Sequence, residues 1–284
     1  MAIDPDTSVG AVRLAVADLD RVREFYERVV RLRTLEKGGD LARLGADGTA
    51  VVELVGVPDA PPRPGGTTGL FHLAILLPSR VELAQSVRRL GETGWPLAGA
   101  SDHLVSEALY LADPEGNGIE IYRDRPRDEW PREEGRLQMG TFPLDLDSLA
   151  AELTAGSDGT PMATDARIGH VHLHVADLDA TEAFYAGTLG FDVTVRDYPG
   201  ALFLSAGGYH HHIGANTWAG EGAPPPPPGS RGLRWFELVL PSATGLDRLE
   251  GRLRGAGFDP ERGEDGLHVA DPSGNGVVLR AATG

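Results

Sequence analysis

Val12, Leu14 and Val16 alternate with polar and small residues near the start of the chain, the period-two pattern of a half-buried strand. Asp18 then stands where a helix N-cap belongs, and Val22, Phe25, Tyr26, Val29 and Val30 recur at helical spacing. The next quarter repeats the pattern. Phe71, Leu73 and Ile75 alternate, Pro78-Ser79 starts a helix, and Leu83, Val87 and Leu90 mark its apolar face. A larger repeat lies over this one. VGAVRLAVADLDRVREFYERVVRL from Val9 matches IGHVHLHVADLDATEAFYAGTLGF from Ile168, GLFHLAILLPS from Gly69 matches GLRWFELVLPS from Gly232, and DPEGNGIEIY from Asp113 matches DPSGNGVVLR from Asp271. Three landmarks recurring in one order make each half a copy of the same unit, and the finer pattern divides each half again. The expected organisation is α+β, with four tandem βαβββ modules over residues 8–57, 69–125, 167–218 and 231–283.

The breaks between modules carry the breakers. Pro58 to Gly66 separates the first two and the run Pro224 to Pro228 the last two, both read as spacers. Residues 1–125 then form a first domain, 167–284 a second, and 126–166 a charged connector in which Leu144, Leu146, Leu149 and Leu153 predict one short surface helix.

Composition narrows the chemistry. Of 284 residues none is cysteine, which excludes disulfides, thiolate ligands and a cysteine nucleophile, so histidine and carboxylate must carry any metal. The 26 basic against 42 acidic residues leave a net charge of −16, which repels nucleic acid. Lys37 is the one lysine and lies in a charged, glycine-rich stretch, a poor setting for Schiff-base chemistry. The longest apolar run, Leu70 to Leu77, contains a histidine and falls far short of the ~20 residues of a bilayer span, and the acidic start MAIDPDTSVG is unlike an export signal. A cytoplasmic protein with no membrane partner is expected. No P-loop, GxSxG elbow or HExxH occurs, and the two GNG triplets read as turn chemistry.

Several residues stand out on their strands. His72 in GLFHLAIL is set by alternation on the face of Ala74, opposite Phe71 and Leu73; a single strand histidine is by itself more often a satisfied packing residue. Glu120 in GIEIY points away from Ile119 and Ile121, and an inward carboxylate is costly unless paired or coordinated. HVHLH aims His170, His172 and His174 at one face.

Paired βαβββ modules with VADL and FY after the first strand and DP-x-GNG before the last resemble the vicinal oxygen chelate superfamily of glyoxalase I, bleomycin and fosfomycin resistance proteins and extradiol catechol dioxygenases. The phrases GASDH-x-VSEALYLADP and SAGGYHHHIG-x-NTWAG are most similar to four-module bacterial catechol 2,3-dioxygenases. The resemblance implies modules paired into two incomplete barrels, with ligands on the first and last strands of a module. Those places hold Ala11 and about Glu53 in module one, His72 and Glu120 in module two, His170 and about His212 in module three, and Trp235 and Val278 in module four. Modules two and three would then share a live site with His72, His170 and Glu120 as metal ligands. Modules one and four would share a dead one.

By the same resemblance His212 matches the acid–base member of a His-His pair, with His211 the alternative if the register slips by one, while His172 and His174 line the cavity or face solvent. Tyr110 and His103 match residues that orient the substrate oxygens. Two histidines and a carboxylate suit non-haem iron(II), with manganese(II) as the alternative, and leave room for a small aromatic diol and dioxygen. The implied activity is extradiol ring cleavage in aromatic compound degradation, compatible with a homo-oligomer. Two other activities occur on this fold and stay open at this point: a glyoxalase-like metal lyase or isomerase, and a ligand-sequestering resistance-type protein.

Overall fold

A computed structural model describes residues 2–153 and 165–282. Module one runs through β1 (Ser8–Val16), α1 (Leu19–Phe25), β2 (Arg33–Gly38), β3 (Leu41–Ala46) and β4 (Thr49–Gly56). Module two follows as β5 (Gly69–Leu77), α2 (Arg80–Thr93), β6 (Gly99–Asp102), β7 (Ser106–Ala112) and β8 (Gly118–Asp124). The connector holds the short strands β9 (Arg132–Glu133), β10 (Arg136–Leu137) and β11 (Phe142–Pro143) and the helix α3 (Leu146–Ala150). Module three is β12 (Arg167–His174), α4 (Leu178–Glu182), β13 (Asp192–Val195), β14 (Ala201–Ser205) and β15 (Ile213–Asn216). Module four is β16 (Gly232–Leu240), α5 (Ala243–Gly255), β17 (Glu261–Arg262), β18 (Leu267–Ala270) and β19 (Gly276–Ala281). The α+β class and the four tandem βαβββ modules are as the periodicity predicts.

The helix starts are also where the sequence puts them. Asp18, Ser79, Asp177 and Ser242 each accept a hydrogen bond from the amide three residues on, which satisfies a donor the first turn cannot satisfy itself. The helical patterns after β1 and β12 break into a turn with wider hydrogen bonding at Tyr26–Val30 and Ala183–Leu189, each closed by a left-handed residue, Arg31 or Gly190. On α2 the apolar face is less regular than predicted: Leu83 and Leu90 are buried, Val87 only partly, and Arg89 is buried among them. Burial pushes its guanidinium pKa down to about 10. In the connector Asp145 caps α3 and Leu149 is buried beneath it; residues 154–164, just past the predicted helix, lie outside the described residues.

Two compact units divide the chain: one of 1–15, 60–71 and 169–284, the other of 16–59 and 72–168. In the second, β2, β3 and β4 form an antiparallel meander, and β6, β7 and β8 another, with β5 parallel to β8. In the first, β12 runs parallel to β15, which continues antiparallel into β14 and β13. There β16 runs parallel to β19 on one side and antiparallel to β1 on the other. The first strand of module one thus pairs with the first strand of module four, the crossed arrangement expected of those two modules.

The recurring FY and DP-x-GNG motifs explain each other. Asp113 Oδ1 accepts the amides of Glu115 and Asn117 at 2.8 and 2.9 Å, and its Oδ2 accepts Asn117 Nδ2 at 2.7 Å. Asp271 repeats the set with Ser273, Asn275 and Asn275 Nδ2, and adds the hydroxyl of Tyr185 at 3.1 Å. Gly116 and Gly274 take the left-handed conformation that closes each turn, at φ 87° and 82°. Burial raises both Asp carboxyls above their usual range although these bonds pull the other way, and Tyr26 and Tyr185, fully buried beside Asp113 and Asp271, are pushed well above theirs. From the same turns Glu115 accepts the amides of Ala17 and Asp18, and Ser273 Oγ accepts the amide of Ala176. Each turn therefore fastens the last hairpin of one module to the first helix of the module before it.

Asp113→Ala takes the acceptor from three partly buried donors, and Asp271→Ala from four buried ones. Denaturant unfolding is expected to show a loss of several kcal/mol for either variant, at about 1–3 kcal/mol per orphaned group. A loss below about 1 kcal/mol would contradict this account of the turns.

Candidate metal centre

His72 and Glu120 reach the same place for different reasons of register. In the parallel pair β5 and β8, Ala74 lies opposite Glu120, so His72, two residues earlier, shares its face. His72 Nε2 lies 3.0 Å from Glu120 Oε2, and both side chains are buried. Ligand atoms of His72, Glu120 and His170 all lie within 4.8 Å of one another, the one such group of histidines and carboxylates among the described residues. Two donors each about 2.1 Å from one ion and at right angles to one another are themselves about 3.0 Å apart. The observed 3.0 Å separation of His72 and Glu120 fits that geometry. Two imidazole nitrogens and one carboxylate oxygen in a buried setting are a donor set suited to a divalent first-row metal.

Tyr110 is the direct antiparallel partner of Glu120 across β7 and β8, and its ring centroid is 5.7 Å from that of His72. His103, just past β6, brings its Nε2 to 2.6 Å from the Tyr110 hydroxyl. The two residues singled out beside the metal ligands therefore form one hydrogen-bonded pair.

The histidine run divides between two surroundings. His211 is buried with its ring 4.1 Å from that of His170 and 4.9 Å from Phe203, and its Nδ1 lies 2.7 Å from His210 Nδ1. His212 turns elsewhere: its Nδ1 accepts the amide of Ala206 at 3.1 Å and its ring lies 4.9 Å from Tyr209. Of the two, His211 is the one packed beside His170. Alternation could not decide this, because β15 begins only at Ile213 and the residues before it follow the double-glycine turn Gly207-Gly208, both left-handed.

The remaining strand histidines sit among aromatic rings. His172 packs on Phe71, Phe203 and Trp218 at 5.2 to 5.7 Å, and His174 lies 5.0 Å from Phe71 with its Nδ1 2.8 Å from Asn216 Oδ1. Phe71 and Trp218 are among the few large exposed apolar residues.

At the corresponding places of modules one and four Ala11, Trp235 and Val278 are all buried. The β1–β16 ladder slips between Val9 and Val12, and the amide of Ala11 donates instead to Glu237 Oε2 at 3.0 Å. Arg280 Nε pairs with the same oxygen at 3.0 Å, and the Arg13 guanidinium lies 4.4 Å over the Trp235 ring. An ion pair and a cation–π contact fill this place. Sequence reasoning did not find Glu237 and Arg280, which share one face of the parallel β16–β19 pair, Glu237 lying opposite Val278 and Arg280 two residues further on.

The profile of the Glyoxalase/Bleomycin resistance protein/Dioxygenase superfamily matches residues 8–121 and 167–279. The chain is 46% identical over 277 residues to catechol-2,3-dioxygenase of Bacillus subtilis (strain 168), covering 95% of this chain and 96% of that one. Among solved structures it is similar to a Bacillus subtilis subsp. subtilis str. 168 protein at a TM-score of 0.69 and 14% identity, over 99% of this chain and 86% of that one. It is also similar to glyoxalase I of Zea mays at a TM-score of 0.58 and 16% identity, over 96% and 92%. At those identities the structural likeness speaks for the fold alone. Four βαβββ modules, a buried two-histidine, one-carboxylate group and a profile match in both halves lead to one statement of kinship: the chain belongs to the glyoxalase/bleomycin resistance protein/dioxygenase superfamily.

Proposed function

We propose that this protein is an iron(II)-dependent extradiol dioxygenase that opens the ring of a catechol-like diol with dioxygen in the cytoplasm. The observation that carries the reading is the grouping of His72, Glu120 and His170 together with the neighbours each has: the Tyr110–His103 pair beside His72, and His211 against His170. The name of the 46% identical Bacillus relative supports the same chemistry.

His72, His170 and Glu120 would hold the metal, which when bound supplies a Lewis-acidic, redox-active centre that makes a diol hydroxyl more acidic and couples diol to dioxygen. A three-residue set leaves the other coordination positions for both substrates. His211 takes a proton from the diol and returns it as the ring opens. Its Nδ1 is engaged by His210, so the proton passes through Nε2. Tyr110, held by His103, orients a diol oxygen. Phe71, Phe203 and Trp218 offer apolar surface for ring substituents.

Protein prepared without chelators is expected to carry about one iron per chain by elemental analysis, and His170→Ala or Glu120→Ala to lose it. Two metals per chain, or retention in both variants, would rule out this ligand set. Given catechol and air, the iron-loaded protein should form a yellow ring-opened semialdehyde with one oxygen consumed per product. His211→Ala should keep its iron and lose roughly 10²–10⁴-fold in turnover, the usual scale of acid–base help, while His212→Ala stays within about tenfold of the parent. No oxygen uptake over a panel of substituted catechols, with isomerisation of a hemithioacetal, would replace this reading with the glyoxalase one; binding of small apolar compounds without turnover would replace it with sequestration.

A further inference from the structure

The connector does more than join the halves. Its strand β11 pairs antiparallel with β6, Phe142 opposite Asp102 and Pro143 opposite Ser101, and this lays the preceding residues along His103. The carbonyl oxygen of Gly140 lies 2.7 Å from His103 Nδ1, the Gly140 amide donates to the His103 carbonyl at 3.4 Å, and Thr141 Oγ1 lies 3.5 Å from the same ring nitrogen. His103 itself is held in a tight reversal. Its amide donates to Ser106, Leu104 adopts φ 70° and donates to Asp102 Oδ1, and Arg125 secures Asp102 at 2.6 Å.

The direction of every bond along this line is fixed by one group. A carbonyl oxygen can only accept, so at 2.7 Å His103 Nδ1 must carry a hydrogen. A neutral imidazole has one ring hydrogen, so Nε2 presents a lone pair. The Tyr110 hydroxyl, 2.6 Å from that lone pair, is then the donor. With its hydrogen committed to His103, any further hydrogen bond at the Tyr110 oxygen is one it accepts.

We propose that the connector strap is a working part of the site, the Gly140 carbonyl fixing the Nδ1–H form of His103 and so making Tyr110 a hydrogen-bond acceptor toward the substrate. This rests on the dioxygenase reading and deepens it: at the position facing Tyr110 the enzyme requires a substrate oxygen that still bears its hydrogen, and discriminates against a diol in which that oxygen is methylated. His103 and Gly140 are positioning residues in this arrangement, acting through Tyr110.

The test is the long-range ¹H–¹⁵N spectrum of the histidine rings in the metal-free full chain, at a pH where the ring is neutral, with His103 assigned among the nine histidines by its loss in His103→Asn. Nδ1 should appear as the hydrogen-bearing nitrogen and Nε2 as the acceptor. Two strap variants then loosen the contact by separate routes. Phe142→Gly weakens the β11 anchor, and Gly140→Ala places a Cβ 2.5 Å from the Phe142 ring, forcing that exposed ring aside. In either, the His103 signal should move toward the Nε2–H form while the other eight histidines stay in place. In the iron-loaded enzyme the diol KM should rise by about tenfold with kcat within about twofold. A parent His103 with its hydrogen on Nε2, or two strap variants with unchanged His103 signals, would overturn the proposal. Failure of the parent enzyme to consume oxygen with any catechol would overturn the dioxygenase reading instead, and the ring spectrum would still decide the role of the strap.

Discussion

Two buried carboxylates hold the architecture together. Asp113 and Asp271 lie deep enough that burial raises their pKa, a position no Asp occupies cheaply, and each is made tolerable by converging backbone and side-chain donors. Their turns immediately precede β8 and β19, the strands that supply Glu120 in one half and its counterpart Val278 in the other. The same turns grip the start of the first helix in each half through Glu115 and Ser273. The path from sequence to metal donor therefore runs through a turn whose residues do no chemistry. Its Asp, Gly and Asn recur in both halves because the packing problem is the same, whereas the strand positions after it diverge, Glu120 in one half and Val278 in the other.

That divergence gives the site its chemistry. Around Glu120 the neighbours are small or aromatic: Ala74 lies opposite it on β5 and Tyr110 opposite it on β7. Around Val278 they are polar, with Glu237 opposite it on β16 and His268 opposite it on β18, the latter bonded to Asp265 at 2.6 Å. A carboxylate that is to meet a metal needs its flank clear of competing cations. Glu237, engaged by Arg280 and by the amide of Ala11, has no such freedom.

Most of this was legible before any coordinates. Strand alternation set His72 and Glu120 apart from their apolar neighbours, helix starts fell at Asp18 and Ser79, and the internal repeat fixed which positions correspond. What escaped has physical reasons. The histidine beside His170 could not be told from its neighbours, because three identical residues precede the strand and a double-glycine turn erases the phase. Arg89 is buried although it lies off the apolar face that Leu83, Val87 and Leu90 define. The role of Gly140 lies in a main-chain oxygen, which no residue type announces, within a connector whose pattern offers only a short helix. The amide of Ala11 reaches Glu237 through a slip in the β1–β16 ladder, and a slip of that kind leaves no mark on hydropathy.

The slip in the β1–β16 ladder also leaves no room for a larger side chain beside Ala11. A side chain added at Gly10 would bring its Cβ to 2.2 Å from Glu237 Oε2, and the adjacent Ala11, which stands where module three has His170, already has its amide bound to that oxygen. A histidine gained at this point meets an occupied carboxylate and a neighbouring guanidinium before it meets any metal. Removing Glu237 first would strand Arg280 without its partner. The positions that correspond to the His72, Glu120 and His170 group are thus taken up by an internal ion pair, and a donor introduced there would compete with Arg280 for Glu237 before it met any ion.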